Sequence, residues 1–450
     1  MCAFCPTPKS HCARPGVAAA AGRRAAGGVV RMSPPPPLLL LLLLLASAAA
    51  CRGRPGADAW PAAGVWNDSL PDLPQTSAGN LPHSPMLGNG YLGVMLATNR
   101  LEATISRNST RGPAAPAGNS SSDSLHLWLG SNAMWGIYPA KSSSLGPNRT
   151  ATRRALAGLS LAGMDSLSSG ATVFSAEQQV LVGQLRTVAL SARGSFVTTT
   201  HLDPRANTLV LNCSWHPKAT GGDSDGPSDG PTAVSLNLSA WTLTSFPGTP
   251  PGQHVPAIVP TTATVLRGSL VVTREAVPAN IKSPRRIKAA LAVRPSLSLA
   301  HTISQQASTT DPISVAAGVL IVDPTAAFSF SVVAAVADNL HESVPPQTTT
   351  ALGATAAQVA TTAQPAELVR SAVAWWRAFW RRSFVHLPTE PAIEALWNGA
   401  QYILASSASP DVDGATPAPG LGGPFVTSDN SGWNGDCEYT FASRALHLIG

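Results

Sequence analysis

Residues 375–388 read WWRAFWRRSFVHLP, residues 389–407 read TEPAIEALWNGAQYILASS, and residues 419–436 read PGLGGPFVTSDNSGWNGD. No stretch of similar length here is so dense in tryptophan, although aromatics make up only 6% of the chain. Just before it, Pro365 suits a first helical turn. Leu368, Val369, Ala372, Trp375, Trp376, Phe379 and Trp380 then recur at helical spacing and define one apolar face. Arg377, Arg381 and Arg382 fall on the other side and at the end, where cations complement the helix dipole. A second helix is expected from Thr389, a candidate N-cap, with Glu390 and Pro391 in its first turn. Its expected buried face is Ile393, Leu396, Trp397, Ala400, Ile403 and Leu404. Both segments are amphipathic, so both need further helices to pack against.

Upstream the period changes from helical to two. Residues 171–215 alternate polar with apolar side chains, and residues 203–207 (DPRAN) make a turn between two runs. Further strands are expected at 233–243, 263–273, 289–297, 318–322 and 328–337. Residues 82–97 combine a Gly88-Asn89-Gly90 turn with a strand from Tyr91 to Leu96. Residues 125–138 (LHLWLGSNAMWGIY) alternate and then break at Gly130-Ser131-Asn132. Many short strands with turn signals argue for a large antiparallel sandwich rather than a parallel sheet. The Gly/Pro/Ser/Asp runs at 219–231 and 245–256 are expected insertions, and the Thr/Ala-rich stretch 345–364 an expected linker. The expected fold class is a mainly β, antiparallel supersandwich followed by the first helices of an incomplete (α/α)₆ toroid.

Charged residues are 12% of the chain, about half the usual share for a globular protein. The formal charge of +6 owes much to Arg14, Arg23, Arg24, Arg31, Arg52 and Arg54 near the N-terminus. No basic stripe interleaved with aromatics appears, which argues against nucleic acid as a partner. Leu38 to Leu45 is an unbroken leucine run followed by small residues to Ala50, the pattern of a signal-peptide core and cleavage region. It falls short of the roughly 20 apolar residues a spanning helix needs, so no stable membrane span is expected. The expected location is the secretory pathway, secreted or lumenal. Sequons at Asn67, Asn108, Asn119, Asn148, Asn212 and Asn237 fit an exported glycoprotein. Cys2, Cys5, Cys12, Cys51, Cys213 and Cys437 do not form a disulfide framework; at most one bridge is open to them, Cys213–Cys437. No metal site is expected, and no cofactor. The glycines at 88–93 are not followed by a helix pattern, which a phosphate loop requires. The domain boundaries read from these signals are 1–51 for the leader, 52–344 for the sandwich, 345–388 for linker and linker helix, and 389–450 for the start of a helical domain.

With these residues in place, the chain resembles the six-hairpin glycosidases that carry an N-terminal β-supersandwich, the α-fucosidase-like glycoside hydrolases and their phosphorylase relatives. Gly88-Asn89-Gly90-x-x-Gly93 is similar to the family's early strand motif, and Asn132-Ala133-Met134-Trp135 to its Asn-Asp-Phe-Trp loop. Trp376-Arg377-x-Phe379-Trp380-x-Arg382-Ser383 resembles the linker helix. Pro419-Gly420-Leu421, Gly423-Pro424-Phe425 and Trp433-Asn434-Gly435-Asp436 resemble the segment that opens the (α/α)₆ barrel. The resemblance spans residues 60–441.

The chemistry this resemblance implies is hydrolysis of an O-glycosidic bond with inversion, by two carboxyl groups ~6.5–9.5 Å apart. In the relatives the acid lies on later barrel helices, so no residue of this chain is assigned as catalytic. Glu390 reads as a helix-start charge, Glu394 as a solvated face and Asp429 as a turn residue. Residues 437–443 read CEYTFAS where the relatives carry an Asn-x-Asn pair, and the barrel is expected to be truncated early. The substrate-binding candidates are Trp433, as a stacking face, Asp436, as an acceptor of hydroxyl hydrogen bonds, and Asn132 and Trp135, reaching from the sandwich. The implied partner is a carbohydrate substrate or glycan, and the implied function that of an exported glycoside hydrolase-like protein, catalytically incomplete. Two other readings fit the residues: a non-catalytic carbohydrate-binding or cell-surface module using the sandwich alone, and a structural exported β-protein whose tryptophans are only core.

Overall fold

The computed structural model of the chain describes residues 64–67, 84–97, 124–139, 149–164, 167, 173–218, 233–244, 260–276, 287–296, 304–310, 313–340, 348–408 and 422–427. Their strands, in chain order, are β1 (Gly64–Asn67), β2 (Met86–Gly88), β3 (Leu92–Ala97), β4 (Ser124–Pro139), β5 (Arg149–Ala162), β6 (Val173–Gln179), β7 (Gln184–Leu190), β8 (Gly194–Leu202), β9 (Thr208–Pro217), β10 (Val234–Leu243), β11 (Thr261–Leu266), β12 (Ser269–Ala276), β13 (Ile287–Ser296), β14 (Ser304–Thr310), β15 (Ile313–Val322) and β16 (Phe328–Asp338). Three helices follow: α1 (Thr349–Thr362), α2 (Pro365–Ser383) and α3 (Pro391–Ser407). The strands build two antiparallel sheets. One has nine strands in the order β1-β6-β7-β8-β9-β16-β13-β12-β11, the other seven in the order β14-β15-β10-β5-β4-β3-β2. This is the expected mainly β sandwich followed by helices.

The period-two pattern places the core between the sheets. Leu125, Leu127 and Leu129 of β4, Leu236, Leu238 and Ala240 of β10, and Leu209, Leu211, Cys213 and Trp215 of β9 all point inward. Cys213 is a free thiol there, buried rather than bridged, and burial pushes its pKa up. The intervening residues of the seven-stranded sheet form an outer cluster of Met95, Trp128, Ala155, Trp241 and Leu243. Trp128 and Trp241 meet edge to face with centroids 4.9 Å apart. Beside them Trp241 Nε1 donates to Ser160 Oγ over 2.7 Å, and His126 lies between Ser160 and Ser124. Burial lowers the His126 pKa to about 4.

Four features depart from the sequence reading. The break expected after Leu129 is a bulge inside one sixteen-residue strand: Gly130 pairs with Ala155 and Trp135 with Arg153, so four residues of β4 stand against Arg154 alone. Strands β1, β5 and β14 carry no expectation. In β5 the Arg153-Arg154 pair and Gly158 hid the pattern, yet Gly158 is the place where the Trp241 indole lies against bare backbone. The expected linker is helical from Thr349, with Thr348 Oγ1 accepting from Ala351 N as the cap. Leu352, Gly353, Ala356, Ala357 and Ala360 set α1 close on the outer face of the nine-stranded sheet, against Val271, Ala290, Ala292, Val333 and Ala335. Small side chains on both surfaces explain why a segment with so little apolar bulk packs there.

The fourth departure concerns α3. Its N-cap is Glu390, not Thr389, and Pro391 takes the first helical position. The buried residues are Asn398, Gln401, Tyr402, Ala405 and Ser406. The expected inner face is turned outward: Ile393 is 54% exposed, Leu396 74%, Trp397 48% and Ile403 47%. Ala400 is exposed as well and Leu404 half-buried. The cause is the surface α3 meets. Strand β2 is the edge of the seven-stranded sheet, and an edge strand presents unpaired backbone groups. Tyr402 Oη donates to Met86 O over 2.8 Å, and Gly90 N donates to Ser406 O over 2.8 Å. Polar and small residues answer that demand; leucines would not.

Helix α2 keeps its expected face. Ala372, Trp376 and Trp380 are buried, while Leu368, Val369, Trp375 and Phe379 are half-buried. Trp380 Nε1 donates to Val180 O over 2.9 Å, in the turn between β6 and β7. Gly183 in the same turn has φ +58° and lies under the Trp376 indole, where a Cβ would collide with Nε1. Gly183→Ala is therefore expected to lower stability by about 2 kcal/mol, through strain and displacement of Trp376. Thermal unfolding should show the loss together with a red shift of tryptophan emission.

Candidate functional site

The segments that carried the motifs meet at one end of the sandwich. The turn between β2 and β3 is fixed by Asn89, whose amide is fully used. Its Nδ2 donates to Asp203 O at 2.9 Å and Ala206 O at 3.1 Å, and its Oδ1 accepts from Tyr91 N at 3.0 Å and Leu92 N at 2.8 Å. One side chain thus ties this turn to the β8–β9 turn of the other sheet. Tyr91 adds a second tie, donating to Asp338 Oδ2 at 2.7 Å. Burial, and then the adjacent Asp338 carboxylate, raise the tyrosine pKa well above its ordinary value.

Against this turn lies the β4 bulge. Asn132 is buried, donates from its backbone N–H to Tyr91 O at 2.8 Å and donates through Nδ2 to Gly90 O. Trp135 sits three residues on, paired through its backbone with Arg153. Gly90 has φ +80°, which allows its N–H to reach Ser406 O at the end of α3. Tyr402, one turn earlier, stacks on Trp376 of α2 with centroids 4.7 Å apart.

The last described segment, residues 422–427, lies on a floor of three glycines. Gly88 pairs with Gly93 across β2 and β3, and Gly93 with Gly130 across β3 and β4. A Cβ on Gly93 would come within 2.7 Å of Pro424 O, one on Gly130 within 2.8 Å of Val426 N, and one on Gly88 within 2.8 Å of the Phe425 ring. The missing side chains form a trough across three strands, and Phe425 passes from it into the Met95–Trp128–Trp241 cluster. The sequence showed each glycine but not that they are cross-strand neighbours, since Gly130 lies in a separate motif.

Among the candidates, the structure therefore brings Asn132 and the backbone of Trp135 to the seam between sandwich and helices. Trp433 and Asp436 lie outside the described residues, as do Asn108, Asn119 and Asn148, Asp429 and Glu438, and every cysteine but Cys213. Asn67 is in β1. Asn237 is exposed on β10, whereas Asn212 is half-buried in β9 and accepts from Ser331 Oγ at 2.7 Å. Glu394 is not a solvated charge: Oε2 accepts from Leu387 N and from His386 Nδ1, the latter at 3.1 Å. Among the described residues no three His, Cys, Asp or Glu side chains are grouped to hold a metal ion, and no helix is long and apolar enough to cross a membrane.

Neither a protein-family model nor a curated protein matches the sequence. Solved structures do align with parts of the chain. A candidate kojibiose phosphorylase from the human microbiome aligns at 11% identity over 76% of this chain and 41% of its own, with a TM-score of 0.49. A bacterial glucoamylase complexed with acarbose aligns at 9% identity over 76% of this chain and 44% of its own, with a TM-score of 0.35. An inverting mannosidase of family GH92 from Bacteroides thetaiotaomicron aligns at 9% identity, over 74% and 37%, with a TM-score of 0.30. This chain spans less than half the length of each.

The seam makes its own prediction. Asn89→Ala removes four hydrogen bonds, three of them buried, and strands two carbonyls and two amides, so it is expected to cost about 3 kcal/mol. Asn132→Ala removes the side-chain bond to Gly90 O and is expected to cost about 1 kcal/mol. Urea unfolding of the two variants checks the ranking.

Proposed function

We propose that the chain is an exported, glycoside hydrolase-like protein that acts on or binds carbohydrate, of the α-fucosidase-like branch of the six-hairpin glycosidases. The observation that carries the reading is convergence. The four segments similar to family motifs are hundreds of residues apart in part, yet the described ones touch in an unbroken series. Gly88 to Gly93 meets Asn132, Ser406 and Gly423-Pro424-Phe425, and Tyr402 joins them to Trp376. Unrelated local motifs have no reason to assemble in this way.

In this reading the seam is the support of a sugar site rather than the site itself. Asn132 positions the β2–β3 turn, and the glycine trough sets the path of the segment leading to Trp433 and Asp436. Trp433 supplies a stacking face for a sugar ring and Asp436 an acceptor for its hydroxyl groups. Trp135 is proposed to reach the same end from the sandwich. No acid–base pair is assigned to the chain's own residues, and Glu394 is already committed to Leu387 and His386. The exposed apolar flank of α3 supports the reading of these helices as the beginning of a larger helical array. Export rests on the leucine-rich leader, and the exposed Asn237 is the sequon on a described strand best placed to carry a glycan.

The test is calorimetric titration of the full chain with fucosylated and glucosylated oligosaccharides, alongside assays on aryl glycosides. The expected result is binding without turnover, weakened at least tenfold, about 1.4 kcal/mol, by Trp433→Ala or Asp436→Asn. Robust hydrolysis would overturn the assignment of no catalytic pair. Absence of binding to every glycan would overturn the carbohydrate reading.

A further inference from the structure

His201 lies near the end of β8, on the outer face of the nine-stranded sheet, since Phe196 and Leu202 point into the core between the sheets. It pairs with Gln184 of β7 on one side and Val210 of β9 on the other. Helix α2 packs over β8 and β9, its Trp376 lies against Gly183, the residue before Gln184, and His201 is 3% exposed. Gln184 Nε2 donates to His201 Nε2 over 3.0 Å, which puts the imidazole proton on Nδ1. Nδ1 has no hydrogen-bond partner among the described residues. The ring is therefore buried neutral, with one nitrogen engaged by a donor and the other unanswered.

We propose that His201 is an acid-sensitive catch beneath α2, whose protonation releases this helix from the sheet while the sandwich stays folded. A proton on Nε2 would face the Gln184 amide donor, so the amide must turn over, and the second N–H would still find no acceptor. Among the described residues no carboxylate is placed to compensate. On β7 the charged neighbour is Arg186, held 3.5 Å from Glu177 of β6. Asp203, two residues on, has its Oδ1 committed to Arg205 N and Ala206 N. Strand β2 carries no titratable side chain, and on β9 Cys213 points to the core and His216 is exposed at the far end. On α2, Glu367, Arg370, Arg377, Arg381 and Arg382 are all exposed. Lifting α2 gives the imidazolium water, which is the favourable escape.

Burial lowers the His201 pKa from 6.5 to about 4. The depressed value fixes the sign: the closed form is favoured above pH 6.5, and the preference is lost progressively as pH falls toward 4. Between pH 7.5 and pH 5 the open population should rise roughly 15- to 30-fold. His126 shares the same depressed value but lies on the other sheet, away from α2, and serves as the control.

Hydrogen exchange of the full chain, corrected for intrinsic pH dependence, reads the effect. Amides of α2 are expected to exchange roughly 15- to 30-fold faster at pH 5 than at pH 7.5, while amides of β12 and β13 change far less. His201→Gln and His201→Met should each flatten the α2 response, and His126→Gln should leave it. The proposal is overturned if α2 does not respond, if α2 and the core strands respond by the same factor, or if the response persists in either His201 variant that folds.

Discussion

The architecture turns on how an edge strand is closed. Strand β2 ends the seven-stranded sheet and leaves backbone groups without a strand partner. The hydroxyl of Tyr402 and the carbonyl of Ser406 take two of those places, at Met86 O and Gly90 N. Gln178 takes a third, accepting from Met86 N at 3.0 Å. An unpaired buried amide or carbonyl costs roughly 1–3 kcal/mol, comparable with burying one leucine side chain. The helix therefore presents its polar and small residues to the sandwich, and its larger apolar side chains are left facing outward. Helix α3 is joined to the sandwich by hydrogen bonds at the edge and to α2 by Tyr402 stacked on Trp376, whereas α1 packs on the other sheet through small apolar side chains.

Glycine placement makes the rest of the seam possible. Gly88, Gly93 and Gly130 form a row without side chains across three strands, and residues 422–427 occupy the space they leave. Gly183 does the same for Trp376 on the other sheet. These positions contribute no apolar area of their own. They decide where backbone and indole rings come close.

The sheets were legible in the sequence because alternation reports directly which side of a pleated strand is buried. Helix α2 was legible because its tryptophans both repeat at helical spacing and face the sheet. The α3 face was misread for a physical reason: amphipathic spacing identifies two faces but not which one the neighbour wants, and a hydrogen-bonding edge wanted the polar one. Helix α1 was missed because alanines and threonines carry little periodic signal, although alanines on the opposing strands make a close fit. At the site, Asn89 and Asn132 stood out as motif residues, but their roles as clamps depend on the β8–β9 turn and on Gly90, which only the folded chain brings near.

Helix α3 meets the sandwich through Tyr402 and its neighbours, with Leu396 and Trp397 facing away. Thermal and urea unfolding of the full chain carrying Leu396→Ser with Trp397→Ser, set beside Tyr402→Ala, measures this orientation. Stability should change by no more than about 0.5 kcal/mol for the outward pair and fall by about 3–5 kcal/mol for the tyrosine. A large loss from the outward pair with little effect at Tyr402 would mean that the helix faces the other way.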